Sequence, residues 1–175
     1  QDPRVVPLAR TADIFLPVRP GSDSALFGAV LHQLIRHDWL DHEFIDAHTL
    51  NFDEAAAAVA DMTPAWAADI TGVPAASIET LALEYAQSKP ALLIAGFGLQ
   101  RNRHAGQTMR AVALLPALTG NVGVPGGGFQ YANLASHCLL EPRLPPGSDG
   151  RAAIPVSRLG PGLLELDAPR VRAAW

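Results

Sequence analysis

"ALLIAGFG", residues 91–98, is the stretch that decides the fold. Ala91 to Ala95 form a short unbroken apolar run, and Gly96, Phe97 and Gly98 follow at once. Such a run is what a strand needs when both of its faces are covered, as in a parallel sheet; a half-exposed strand would alternate with polar residues. Glycines directly after it make a turn where backbone can approach a ligand closely. Lys89-Pro90 marks the boundary on the near side. On the far side a helix is expected over about residues 105–118, and then a glycine-rich loop, "TGNVGVPGGGFQ", residues 119–130.

Upstream the pattern is helical. Leu26, Val30 and Leu34 share one face, which Leu31 and Ile35 widen, and Ser22 or Asp23 is placed to cap that helix. Asp41 is expected to cap a short helix holding Phe44 and Ile45, and Asn51 to cap the alanine-rich stretch 53–61. Thr63-Pro64 is a cap followed by proline at the first helical position, with Gly72 ending the helix. Pro74 repeats the device for a helix carrying Ile78, Leu81, Ala82 and Tyr85 on one side. Trp39 and Trp66 are expected to be packing residues. The opening segment, "DPRVVPLARTADIFLPVRPGSDSAL" (residues 2–26), has the character of a strand end, a polar turn, a second extended run, and a Gly-Ser-Asp before the first helix.

From Leu139 onward Pro and Gly recur without helical or strand periodicity, so residues 139–175 are expected to be an extended or disordered segment. Its last residues, "PRVRAAW" (169–175), have the look of a strand beginning. Strand, helices, strand, helix is α/β logic. Only two or three strands are evident, too few for a sheet with two covered faces, which implies a piece of something larger.

The 175 residues are 49% hydrophobic and 17% charged, ordinary for a globular protein. No apolar run approaches the roughly 20 residues of a bilayer span. A net charge of −4 argues against a nucleic-acid surface. All basic residues but Lys89 are Arg, a bias that permits an anionic ligand without requiring one. Cys138 is the single cysteine, which excludes an internal disulfide and an iron–sulfur cluster built from this chain's own cysteines. The six His residues, His32, His37, His42, His48, His104 and His137, include no i, i+4 pair, which disfavours a zinc site.

The order of short motifs is more specific than any one of them. DPR (2–4), TAD (11–13), LPVRPGSDxAL (16–26), ITGVP (70–74), GFGLQRNRHAGQ (96–107) and ALTGNVGVPGGG (117–128) together resemble the molybdopterin oxidoreductases. This is the family of bis-molybdopterin-guanine-dinucleotide enzymes of the dimethyl sulfoxide reductase type. The resemblance runs from Asp2 to about Phe129. It implies part of two central Rossmann-like α/β domains, with parallel strands and flanking helices, over residues 1–138. Residues 139–175 would lead to the next strand.

It also implies a set of cofactor-binding positions. The first turn, Asp2, Pro3, Arg4, Val5 and Val6, would lie against the guanosine part of the cofactor; a carboxylate at a strand end suits a ribose diol, accepting two hydrogen bonds. Gly21, Ser22 and Asp23 match the second nucleotide-contacting stretch, where a carboxylate can accept from both N1–H and the N2 amino group of guanine. The third turn is GxGxx followed by Arg101 rather than Gly, so it is not a dinucleotide fingerprint of the usual kind. The resemblance places it near the metal end of the cofactor, with Phe97, Gly98 and Arg101 at the contacting positions.

No catalytic or metal-ligating residue is assigned. In the family the metal ligand precedes the DPR segment, as does the cysteine set of the iron–sulfur cluster where there is one, and Cys138 matches neither. The implied parent is a molybdenum-dependent oxidoreductase carrying molybdenum bis(molybdopterin guanine dinucleotide), with any iron–sulfur cluster bound outside this chain. Its partners would be the remaining domains and an electron-transfer subunit, with no nucleic acid and no membrane insertion by this segment. Two other readings stay open: a molybdenum-free structural relative such as the large iron–sulfur subunit of respiratory complex I, and the central domain of a thiamine-diphosphate enzyme.

Overall fold

The computed structural model describes residues 1–131 and 159–165. Eight α-helices and two strands are present among them. The helices α1 (Asp23–Arg36), α2 (His42–His48), α3 (Phe52–Ala58), α4 (Pro64–Thr71) and α5 (Ala75–Gln87) precede β1 (Leu92–Ala95). The one-turn α6 (Phe97–Gln100) and the longer α7 (Ala105–Leu118) lead to β2 (Gly128–Tyr131), and α8 spans Leu159–Glu165.

The centre of the packing is α1, which lies against α4, α5 and α7. Its expected apolar face is the core: Leu26, Leu34 and Val30 are buried almost completely. Each such side chain stabilises the fold by about 1.5–3 kcal/mol through removal from water. Ile78 and Ala82 of α5 and Val112, Leu115 and Leu118 of α7 close the same cluster. The local stops and starts are chemical. Asp41 caps α2 by accepting the N–H of Phe44 at 2.9 Å, and Thr63 caps α4 by accepting from Trp66. Gly72 ends α4 in the left-handed region.

β1 and β2 are parallel, in register from Leu92 opposite Gly128 to Ala95 opposite Tyr131, and α7 crosses between them. The chain is therefore α/β, with helices flanking a parallel pair. Part of the expected glycine loop is strand β2. The rest is held by Asn121, which is fully buried. Its amide accepts from the Ala91 N–H and donates to the Thr119 hydroxyl, while Gly128 N–H donates to the Ala91 carbonyl at 3.0 Å. A Cβ on Gly127 would stand 2.9 Å from the Asn121 carbonyl oxygen, so the loop closes on itself only with glycine there.

Several expectations change. β1 is not covered on both faces: Leu93 and Ala95 turn to the core, but Leu92 and Ile94 are 48% and 67% exposed, because no described element covers their side. The opening segment forms no strand. It contains a 3₁₀ turn, Pro7–Arg10, and an irregular extended run whose Leu16 and Val18 are buried. Asn51 precedes α3 in the left-handed region and does not cap it; its amide reaches the Glu54 carboxylate instead. Trp39 packs against the core and stacks on His37, whereas Trp66 is 39% exposed. Within the stretch expected to lack periodicity, Leu159–Glu165 is helical. Cys138, His137 and the "PRVRAAW" end lie outside the described residues.

Candidate functional site

At the carboxyl end of β1 a cleft of about 380 Å³ opens between the start of the chain, the start of α1 and the turn after β1. That volume is within the range of small-molecule sites. Its apolar walls come from Leu16, Val18, Phe27, Leu93, Leu99 and Val112. Its polar rim comes from Asp2, Gly21, Asp23, Gly96, Gly98 and Asn102. The end of a parallel strand is where α/β folds present ligands, because the connecting turns there are free to vary.

Asp23 is the first residue of α1 and is buried. Helix geometry puts its carboxylate near the unpaired N–H groups of the first turn, where negative charge is favoured. Neither Ser22 nor Asp23 is a side-chain cap, contrary to the sequence expectation. The Ser22 hydroxyl donates to the Arg19 carbonyl at 2.6 Å, which turns it away from the helix. One hydrogen bond reaches the Asp23 carboxylate among the described residues: Asn102 Nδ2 donates to Oδ2 at 3.4 Å. Oδ1 has no partner among them.

Asp2 is half committed to its own turn. Its Oδ1 accepts the Arg4 N–H at 2.8 Å, and the Arg4 guanidinium approaches the same oxygen at 3.7 Å. The backbone N–H of Asp2 meets the Leu16 carbonyl at 3.4 Å, which seats the turn beside the extended run. Pro3 lines the cleft with Asp2. Gly96 and Gly98 show open space where a Cβ would stand, leaving their backbone approachable from the cleft.

The fold thus gathers Asp2, Pro3, Gly21, Asp23 and Gly98 into one cavity wall. It does not bring the other expected positions there. Arg4 and Val5 are exposed and Val6 is half-buried beyond the turn. Ser22 is occupied with Arg19. Phe97 and Arg101 sit on the same turn as Gly98 but face solvent outside the cleft.

Two residues were missed by the sequence reading. Asn102 stands four residues after Gly98, a spacing that returns its amide to the Gly98 carbonyl, so the signal was there in a one-turn helix. Tyr131, at the end of β2, donates its hydroxyl to the Gln100 side chain and ties that strand to α6. No local pattern announces that pair, because it depends on strand register. Among the described residues there is no group of three or more metal-ligating side chains, and no helix is long and apolar enough to cross a membrane.

The arrangement suits a small ligand that presents hydrogen-bond donors. The Asp23 carboxylate keeps one oxygen without a partner among the described residues at a cleft of adequate size, and approachable glycine backbone stands next to it.

No protein-family model matches the chain. It is similar to the putative dimethyl sulfoxide reductase chain YnfE of Escherichia coli (strain K12), 35% identical over 164 residues that cover 82% of the chain and 20% of that protein. It is similar also to formate dehydrogenase H of the same organism, 37% identical over 127 residues, covering 73% of the chain and 18% of that protein. Among solved structures, acetylene hydratase from Pelobacter acetylenicus superimposes with a TM-score of 0.68 at 30% identity, covering 70% of the chain and 17% of that structure. The chain therefore spans about a fifth of the length of these relatives.

Proposed function

The chain belongs to the molybdopterin oxidoreductase family, and on that premise we propose that its cleft holds the guanosine end of a molybdopterin guanine dinucleotide. The chain would be a central segment of a longer molybdenum-dependent oxidoreductase. Residues 1–138 would contribute to the cofactor-binding domains, and residues 139–175 would lead on to the next strand. The bound cofactor supplies the redox chemistry at its molybdenum.

One observation carries the reading: the Asp23 carboxylate lies at the rim of the cleft with Oδ2 held by Asn102 and Oδ1 without a partner among the described residues. A carboxylate oxygen that no described protein group occupies, set at the rim of a cleft, is placed to accept a hydrogen bond from a ligand. Guanine offers two adjacent donors, N1–H and the N2 amino group, and a carboxylate accepts both where an adenine edge would mispair. Asp2 would take the ribose diol with the oxygen its own turn leaves open. The backbone of Gly96 and Gly98 would allow close approach, and Phe97, Gly98 and Arg101 would meet the phosphate or pterin portion at the far side of the turn. The substrate, any iron–sulfur cluster and any electron-transfer partner would belong to other parts of the protein.

Metal and pterin analysis of the full-length protein tests this. Molybdenum or tungsten together with releasable guanine nucleotide is the expected result. A folded full-length protein containing neither would favour the molybdenum-free structural relative.

A further inference from the structure

We infer that Asn102 is the positioning residue through which the turn after β1 sets the guanine-reading carboxylate of Asp23. The inference deepens the cofactor reading above and rests on it.

A single side-chain nitrogen is shared between two ligand-facing turns. Asn102 Nδ2 lies 3.4 Å from Asp23 Oδ2 and 3.4 Å from the Gly98 carbonyl oxygen. A primary amide has two N–H donors, so both contacts are met at once with one hydrogen each. The amide oxygen lies near Gly21 of the same turn, where a Cβ would stand 3.6 Å from Asn102 Oδ1. Asn102 therefore links the turn at Gly21–Asp23, through Asp23, to its own turn at Gly98, and it lines the cleft between them.

The chemical consequence concerns Asp23. Without the amide, Oδ2 would lose its one hydrogen bond among the described residues, and the carboxylate would be free to turn out of the orientation that faces the cleft. With the amide in place, the donor from Asn102 takes one of the two lone pairs of Oδ2 and fixes the carboxylate, leaving Oδ1 and the second lone pair of Oδ2 for the two donors of the ligand. Both bonds are at the long end of the N–H···O range, so the expected effect of losing them is moderate, roughly three- to tenfold in retention.

Four forms of the full-length enzyme decide the matter: Asn102→Ala, Asp23→Ala, the double variant, and Asn102→Asp. Each is purified, and guanine nucleotide per polypeptide is measured after gel filtration, with the melting temperature of the cofactor-free form as a control for folding. Asn102→Ala should lower guanine content roughly three- to tenfold without shifting that melting temperature appreciably. The double variant should lose no more than Asp23→Ala alone, because Asn102 acts through Asp23. Asn102→Asp, which keeps the shape but sets a second carboxylate against the first, should lose more than Asn102→Ala. Wild-type guanine content in Asn102→Ala beside a loss in Asp23→Ala overturns this inference and leaves the cofactor reading intact. The same holds if Asn102→Ala costs as much without Asp23 as with it. Wild-type guanine content in Asp23→Ala overturns the cofactor reading itself.

Discussion

Asn121 accepts the backbone N–H of Ala91 on its side-chain oxygen at 2.9 Å, joining the glycine-rich loop to the residue that leads into β1. The same amide donates to the Thr119 hydroxyl at 2.8 Å, and the whole side chain is buried. Parallel pairing of β1 and β2 starts from this point, and the cleft lies at the other end of β1. Asn121→Ala should therefore destabilise the domain by about 2–3 kcal/mol, since it leaves the Ala91 N–H buried and unpaired. A lowered melting transition in the full-length protein checks this; an unchanged one would mean that water or the loop backbone satisfies Ala91.

Two glycines make opposite use of a close neighbour. A Cβ on Gly120 would overlap the Asp41 carboxylate, standing 2.7 Å from its Cγ, at a φ of +66°. Asp41 cannot yield without giving up the α2 cap. A Cβ on Gly28 would meet Met62 Sδ at 2.5 Å, which is part of a flexible thioether on a helix face that accepts alanine. Gly120→Ala should cost about 2–4 kcal/mol and Gly28→Ala about 1 kcal/mol or less. Chemical denaturation of both variants gives the order, and a reversed order would contradict the packing described.

Burial pushes the Tyr85 phenol up to about 12, an effect partly offset by the nearby Thr119 hydroxyl. That hydroxyl is already engaged with the Leu115 carbonyl and the Asn121 amide, and no hydrogen bond reaches Tyr85 among the described residues. Between the ordinary value near 10 and the folded value near 12 the unfolded chain has lost this proton and the folded chain has kept it. Stability therefore falls as pH rises through that window, and the contribution is fully present below it. Tyr85→Phe should leave stability at neutral pH unchanged or slightly higher and flatten the decline above pH 10. Melting temperature against pH in both forms measures it; an identical alkaline decline would assign the effect to other groups.

Arg101 and Arg103 are both exposed and stand two residues apart. Only Arg101 ends the turn that contains Gly98. Arg101→Lys should lower cofactor retention roughly ten- to a hundredfold, the equivalent of one lost charge-assisted bond of about 1.5–3 kcal/mol, because lysine cannot offer two parallel donors. Arg103→Lys should leave retention unchanged. Equal losses would reduce this stretch to diffuse positive potential.

Helix register was the most legible part of the sequence. The α7 limits and the caps at Asp41 and Thr63 follow from local chemistry, which acts within three or four residues and is written in order. Asn51 and Ser22 show that the same short range can offer rivals: both are good capping types, but a partner three residues away, the Glu54 carboxylate or the Arg19 carbonyl, takes their side chains instead. β2 was hidden because "GFQY" carries little strand signal; its pairing with β1 depends on Asn121 and Ala91, thirty residues apart. The exposed face of β1 was illegible for a related reason. An apolar run records what a strand was selected to be covered by, not which part of the protein supplies the cover. Of the candidate site, Asp23 and Gly98 were found from motif order, whereas Asn102 lay inside a recognised motif and gained meaning only when the two turns met.

The central claim is that Asp23 selects guanine in the cleft, and the isosteric Asp23→Asn variant of the full-length enzyme tests it most directly. Asparagine keeps the size of the side chain and one acceptor oxygen, and it places an amino group where the second acceptor stood. Guanine nucleotide released per polypeptide is the quantity to measure, with the melting temperature of the cofactor-free protein as control. The account predicts a loss of at least about tenfold, with melting nearly unchanged, since a site built to accept two donors is left with an unpaired group. Wild-type guanine content in Asp23→Asn would contradict it and leave Asp23 as a charge at the start of a helix.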